Sequence, residues 1–154
     1  MPEMDRLDRR ILALLQHDAR LSSEAIATEV GLSATAVQRR IKKLREDGVI
    51  EAQVAVLDPR ALGFGVTAIV EVQLAEASRE AVIDGFKRQM DAQPEVQQCY
   101  YVAGESDFVL IVNAVDMAGF ERLTRRLFFD KGNIKKFRST FVLETSKRGL
   151  NLPL

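Results

Sequence analysis

The chain has 154 residues, with 22 Lys and Arg against 22 Asp and Glu, 47% hydrophobic and 6% aromatic residues, one cysteine and one histidine. That length suits one domain or two small ones, and the apolar content is enough to offset chain entropy, which excludes collagen-like, low-complexity and disordered chains. Cys99 alone cannot form an intramolecular disulfide, Cys99 and His17 together cannot make a zinc site, and neither a signal peptide nor an apolar run of roughly 18 residues is present, so a cytoplasmic protein is expected.

The first third of the chain has a helical period. Leu7, Ile11, Leu14 and Leu15 share one face of a helix over about 5–17, which Asp5 can cap and His17 can close as a partner for the helix dipole. Ser22 or Ser23 starts a shorter helix whose small apolar face is Ala25, Ile26, Ala27 and Val30, and Gly31 suits its left-handed end. After a tight turn, Ser33 caps a third helix with Val37, Ile41 and Leu44 as its buried stripe, ending at Gly48. Residues 49–58 then alternate with a period of two and predict a strand, and Asp58-Pro59 and Gly63-Phe64-Gly65 break the pattern. The domain boundary is placed here, giving a helix-turn-helix domain with its connecting strand over 1–60 and a second domain over 61–154.

The second domain reads as strand 66–74, helix 79–91 (Val82, Ile83, Phe86, Met90), strands 97–103 and 107–114 around the hairpin Gly104-Glu105-Ser106, helix 117–129 (Phe120, Leu123, Leu127, Phe128) and strand 137–144. The order β-α-β-β-α-β is the ferredoxin-like motif, so the chain is expected to be α+β, a winged-helix-like helix-turn-helix domain followed by an antiparallel sheet with both helices on one face. Ala68, Val70 and Val72 alternate with apolar Ile69, and Phe108, Leu110 and Val112 with Val109 and Ile111. Apolar residues on both faces of an antiparallel sheet call for a second cover, which predicts a homodimer with sheets packed together.

The zero net charge hides one asymmetry. Segment 33–45 carries Arg39, Arg40, Lys42, Lys43 and Arg45 with no acidic residue. At 100° per residue, Thr35, Arg39, Lys42 and Glu46 lie farthest from the core, Gln38 and Lys43 flank them, and Arg40 lies nearer the core side. A solvated amphipathic face is the ordinary explanation of such a helix. Its place as third helix after a short helix and a glycine turn instead fits a helix that enters the DNA major groove. On that reading Gln38 and Arg39 are of the type that reads adenine and guanine edges, while Ser33, Thr35, Arg40, Lys42 and Lys43 suit phosphates.

Three segments, Glu24 through Ile50, Leu57-Asp-Pro-Arg-Ala-Leu-Gly63 and Val102-Ala-Gly-Glu-Ser-Asp-Phe-Val-Leu110, together resemble the Lrp/AsnC (leucine-responsive/asparagine-operon, feast/famine) regulators over almost the whole chain. The resemblance implies a bacterial or archaeal, nucleoid-associated transcription regulator. Its partners are double-stranded DNA and further copies of the chain, a dimer that assembles to tetramers or octamers. It implies no catalytic residue, metal or cofactor beyond an amino-acid effector. In the family the loop between the second and third strands lines the effector cleft, which implies Gly104, Glu105, Ser106, Asp107 and Phe108 here. The alternative for these residues is a hairpin that needs Gly and Asp for geometry alone. Many amino-acid-responsive members carry Thr-x-Thr in the last strand, whereas this chain has Phe137-Arg138-Ser139, with Ser139 keeping one hydroxyl.

Phe137 therefore keeps a second reading open, a ligand-independent, architectural DNA-organising protein. A metabolite-binding module or enzyme on the ferredoxin-like fold is a third, against which stand the missing phosphate loop, Rossmann fingerprint and Gly-x-Ser-x-Gly elbow. Cys99 reads as a sheet residue. Arg122, Arg125 and Arg126, like Lys135, Lys136 and Arg138, read as solvated faces, with contact to wrapped DNA as the alternative.

Overall fold

A computed structural model describes residues 4–76, 79–129 and 133–154. They form two compact units, one of Met1–Val56 with Lys147–Leu154 and one of Leu57–Ser146. The break falls a few residues before position 60, and the last eight residues, expected in the second domain, join the first.

In the first unit α1 is Arg6–His17, α2 is Ser23–Val30 and α3 is Ala34–Glu46. Asp5 and Asp8 close a reciprocal capping box at the start of α1, each carboxylate accepting the other's backbone N–H, at 2.8 Å for Asp8 N and 3.2 Å for Asp5 N. Of the two serines, Ser22 is the cap of α2, its Oγ accepting from Ala25 N at 3.2 Å, and Ser33 caps α3 through Ala36 N at the same distance. Gly31, at φ 72°, ends α2 in the left-handed region and lets the chain turn at once into α3. Ile11, Leu15, Ile26, Ala27, Val30, Val37 and Ile41 make one apolar core from all three helices. Ala25 is exposed and takes no part in it.

The strand expected over 49–58 does not form. Val49 and Ile50 donate back to Leu44 O at the end of α3, and residues 51–58 are exposed, without strand pairing. Alternation gives a chain two faces, but a strand also needs a neighbour to hydrogen-bond, and the described residues supply none. The returning tail is tied to α1. Gln16 Nε2 donates to Leu152 O at 2.8 Å, Leu152 N donates to Gln16 Oε1 at 2.9 Å, and Asn151 Nδ2 donates to Gln16 O at 3.0 Å.

In the second unit β1 is Val66–Leu74, α4 Glu80–Asp91, β2 Val96–Tyr101, β3 Phe108–Ala114, α5 Met117–Thr124 and β4 Ile134–Phe141. The sheet is antiparallel in the order β2-β3-β1-β4, as the ferredoxin-like reading requires. Three elements differ from expectation, the first being β2, which ends at Tyr101 instead of 103. The last helix is α-helical only to Thr124 and continues as a π-helical turn over Arg125–Phe129. The last strand begins at Ile134 instead of 137 and ends at Phe141, because a register shift between Gln73 and Leu74 lets Ile134 pair with Leu74.

Alternate residues of the central strands, Ala68, Val70, Val72 and Leu74 with Phe108, Leu110, Val112 and Ala114, are buried with Phe86, Met90, Phe120, Leu123, Leu127 and Phe128. The opposite face is apolar at its middle, in Ile69, Val109 and Ile111, with the exposed Tyr100 beside Val109. Around these run the Thr67–Asn113 and Asn113–Gln97 hydrogen bonds and the Glu71–Arg138 ion pair.

Gly65 marks the tightest approach at the entry to β1. Its N–H donates to Val115 O at 3.0 Å, and a Cβ at this position would lie 2.9 Å from that same backbone oxygen. Gly65→Ala is therefore expected to destabilise the protein by about 1–3 kcal/mol through backbone displacement. A urea titration that showed an unchanged midpoint would refute this.

Candidate nucleic-acid interface and effector hollow

The residues assigned to DNA from the sequence divide into two groups. Ser33, Thr35, Gln38, Arg39, Lys42 and Lys43 are exposed on the side of α3 away from Val37, Ile41 and Leu44. Ser33 Oγ is already used in capping, accepting from Ala36 N at the start of α3. Lys42 pairs with Glu46 at 3.7 Å, and Arg45 Nη2 donates to Gln53 Oε1 at 2.6 Å. Among the described residues Arg39 and Lys43 make no ion pair, so their charge faces outward uncompensated.

Arg40 does not belong to that surface. Its side chain is 28% exposed, and Nη1 donates both to Asp5 Oδ2 at 2.8 Å and to Asp8 Oδ1 at 2.7 Å. Hydrogen bonding to Asp8 and then to Asp5 raises the guanidinium's already high pKa. The Asp5 carboxyl is held below its usual range, first by the Asp8 backbone N–H and further by Arg40. The sequence placed Arg40 on the core side of the helix but gave it to a phosphate; two carboxylates of α1 occupy it instead.

The loop between β2 and β3 is pinned to β1. Asp107 N donates to Val72 O at 2.9 Å, Asp107 Oδ2 accepts from Leu74 N at 2.7 Å, and Gln73 Nε2 donates to Glu105 O at 3.2 Å. One Asp107 oxygen thus serves the loop's geometry. A side chain at Gly104 would project into open space, and its φ is not positive, so neither crowding nor backbone strain requires glycine there.

Beside this loop lies a hollow of about 260 Å³ lined by Glu71, Gln73, Glu105, Ser106, Lys136, Phe137 and Arg138. Of the residues assigned to an effector from sequence, Glu105 and Ser106 line it. Phe108 does not; it is fully buried, with its ring 4.5 Å from that of Phe86 and 5.1 Å from that of Tyr101. Ser139 does not either. It pairs with buried Val70, and its Oγ is buried on the helix side without a hydrogen-bond partner. Phe137 does line the hollow, its ring held 4.8 Å from Phe128 and 5.8 Å from Phe129. Glu71, Gln73, Lys136 and Arg138 also line the hollow, though the sequence assigned none of them to an effector. Their signal is pairwise, in the cross-strand partners Glu71 with Arg138 and Gln73 with Lys136. Arg138 Nε donates to Glu71 Oε2 at 2.6 Å, which leaves Lys136 as the hollow's cation outside an ion pair among the described residues.

A larger hollow of about 450 Å³ lies between α4 and β2, over Met90, Val96 and Cys99. Lys87 on its rim is bonded to Asp84 at 3.2 Å and sits 5.3 Å from the Tyr101 ring centre. Burial pushes the Cys99 thiol up, against a smaller opposing effect of Lys87, so the thiol is a poor nucleophile. The cations of the last helix are largely compensated. Arg125 pairs with Glu121 at 2.8 Å and Arg126 with Glu95 at 2.9 Å.

Residues 4–45 match the AsnC-type helix-turn-helix domain and residues 67–152 the Lrp/AsnC ligand binding domain. An HTH-type transcriptional regulator of Sinorhizobium fredii is 45% identical over 152 residues, 99% of this chain and 89% of that protein. The DNA-binding transcriptional activator DecR of Escherichia coli is 34% identical over 151 residues, 98% of this chain and 99% of that protein. A transcriptional regulator of Neisseria meningitidis, solved as its complex with L-methionine, superposes with a TM-score of 0.89 at 28% identity, covering 98% of this chain and 97% of that one.

Proposed function

The chain belongs to the Lrp/AsnC family of helix-turn-helix transcription regulators, and on that premise we propose that α3 is its DNA-reading helix and that the hollow beside Glu105 and Ser106 takes an amino-acid effector. The observation that carries the first part is the outward face of α3. Thr35, Gln38, Arg39, Lys42 and Lys43 lie on it with the helix N-terminus at one end, and no carboxylate interrupts it before Glu46. Gln38 and Arg39 supply the paired donors and acceptors that base edges demand, and the flanking lysines supply phosphate contacts.

The second part rests on chemistry. A free amino acid presents a carboxylate and an ammonium group, and this hollow offers Lys136 to the first and the carboxylates of Glu71 and Glu105 to the second. The methionine complex of the Neisseria relative supports an amino acid as the ligand class. Ile69, Val109 and Ile111 at the middle of the uncovered sheet face support a dimer with the sheets packed together. A dimer of helix-turn-helix units reads two half-sites about 34 Å apart.

The test is selection of duplexes by the purified protein from a random-sequence pool, followed by titration of the selected duplex with and without the twenty amino acids. Selection of one sequence whose affinity shifts with an amino acid supports both parts. Selection without any shift leaves the architectural reading, with Phe137 as its cause. Lys136→Ala is expected to weaken the responsible amino acid by about tenfold or more, the worth of a hydrogen bond to a charged group, while leaving DNA affinity without ligand unchanged. Isothermal titration of variant and parent checks it.

A further inference from the structure

Three groups meet where α3 crosses the start of α1, and their arrangement is more specific than a surface ion pair. The Asp5 and Asp8 carboxylates each use one oxygen to cap α1, Asp5 Oδ1 from Asp8 N and Asp8 Oδ2 from Asp5 N. Each gives its other oxygen to the same nitrogen, Arg40 Nη1, at 2.8 and 2.7 Å. The apolar stripe of α3 holds the helix against the core, but apolar burial is non-directional and tolerates small rotations and slides. Charge-assisted hydrogen bonds to a capped helix end are directional, and they fix one pose.

We infer that Arg40 is a positioning residue for DNA reading: clamped by Asp5 and Asp8, it sets the pose of α3 and so of Gln38 and Arg39 beside it, and it contacts no phosphate. The inference rests on α3 being the reading helix. The charges argue against a direct electrostatic role, because two carboxylates around one guanidinium leave the cluster net negative beside a polyanion. A cluster that served by charge alone would do better without its acids. The geometry accounts for their presence as fixed points, since base readout needs side chains held to within a fraction of an ångström.

Electrostatics and positioning predict different sequence preferences in one experiment. Asp5→Asn with Asp8→Asn removes two negative charges yet keeps residues that cap helices well. Affinities are measured for a duplex selected by the wild-type protein and for a scrambled duplex of the same composition, each over a range of salt, with a thermal melt of every variant. The clamp predicts that this double variant binds scrambled DNA more tightly while its preference for the selected duplex falls about tenfold. It predicts that Arg40→Gln loses the same preference with scrambled-duplex affinity and salt slope unchanged. Arg40→Lys, whose single nitrogen can still bridge both carboxylates, recovers most of the preference and serves where Arg40→Gln melts early.

An Arg40→Gln protein that loses affinity equally for both duplexes, with the salt slope reduced by about one, would make Arg40 a phosphate contact and overturn the inference. So would an acid-to-amide variant that gains affinity on both duplexes with its preference intact. Failure of the wild-type protein to distinguish the two duplexes is a different result, and it would bring down the reading of α3 itself.

Discussion

Arg39→Ala combined with Lys43→Ala is expected to reduce affinity for the selected duplex on the order of 10²-fold or more, with a smaller loss on scrambled DNA. A bidentate arginine contact to guanine is worth roughly 1–3 kcal/mol of discrimination, and the loss is repeated in each half-site of a dimer. Lys43 adds a phosphate contact, so the salt slope should also fall, by about one for each contact removed. Both side chains are exposed and make no ion pair among the described residues, so melting should be unchanged. Lys42, which shares its charge with Glu46 at 3.7 Å, should cost less when truncated. Fluorescence anisotropy with the two duplexes decides the matter, and a double variant that binds like wild type would remove α3 from the interface.

Phe108→Ala should produce the largest loss of stability of the changes considered, roughly 3–5 kcal/mol. Phe108 is completely buried in β3, against Phe86 and Tyr101, and truncation leaves a cavity between sheet and α4 that rigid strands cannot close. Against a total stability of about 5–15 kcal/mol, that loss leaves the second unit marginal. The measurement is urea unfolding without any ligand. A small change there, joined to a lost amino-acid response, would return Phe108 to the effector site in which its sequence motif placed it.

Local chemistry explains what was legible. The caps at Asp5 and Ser33, the glycine turn at Gly31 and the apolar stripes of α1, α3, α4 and α5 depend on residues three or four apart, and the structure has them where the sequence predicts. Misplaced features depend on partners far along the chain. Residues 51–58 alternate like a strand but find no strand partner among the described residues. Lys135 and Lys136 read as a solvated face outside the strand, yet they extend β4 along the sheet edge, where charge is tolerated because one side of the strand is open. The hollow combines β1 with β4, and only the strand register brings Glu71 to Arg138 and Gln73 to Lys136. Phe108 shows a different limit, since an aromatic residue that ends a loop motif and one that begins a core strand have the same letter.

The tail has a consequence for how this protein can be recombined. The chain leaves the helical unit after Val56 and re-enters it at Lys147, where Leu152 and Asn151 bond to Gln16 of α1. One cut after Val56 therefore does not carry the whole of the helical unit. A chimera that fused residues up to 56 to a foreign effector domain would strip α1 of these tail bonds, and a second splice point at 147 would keep them.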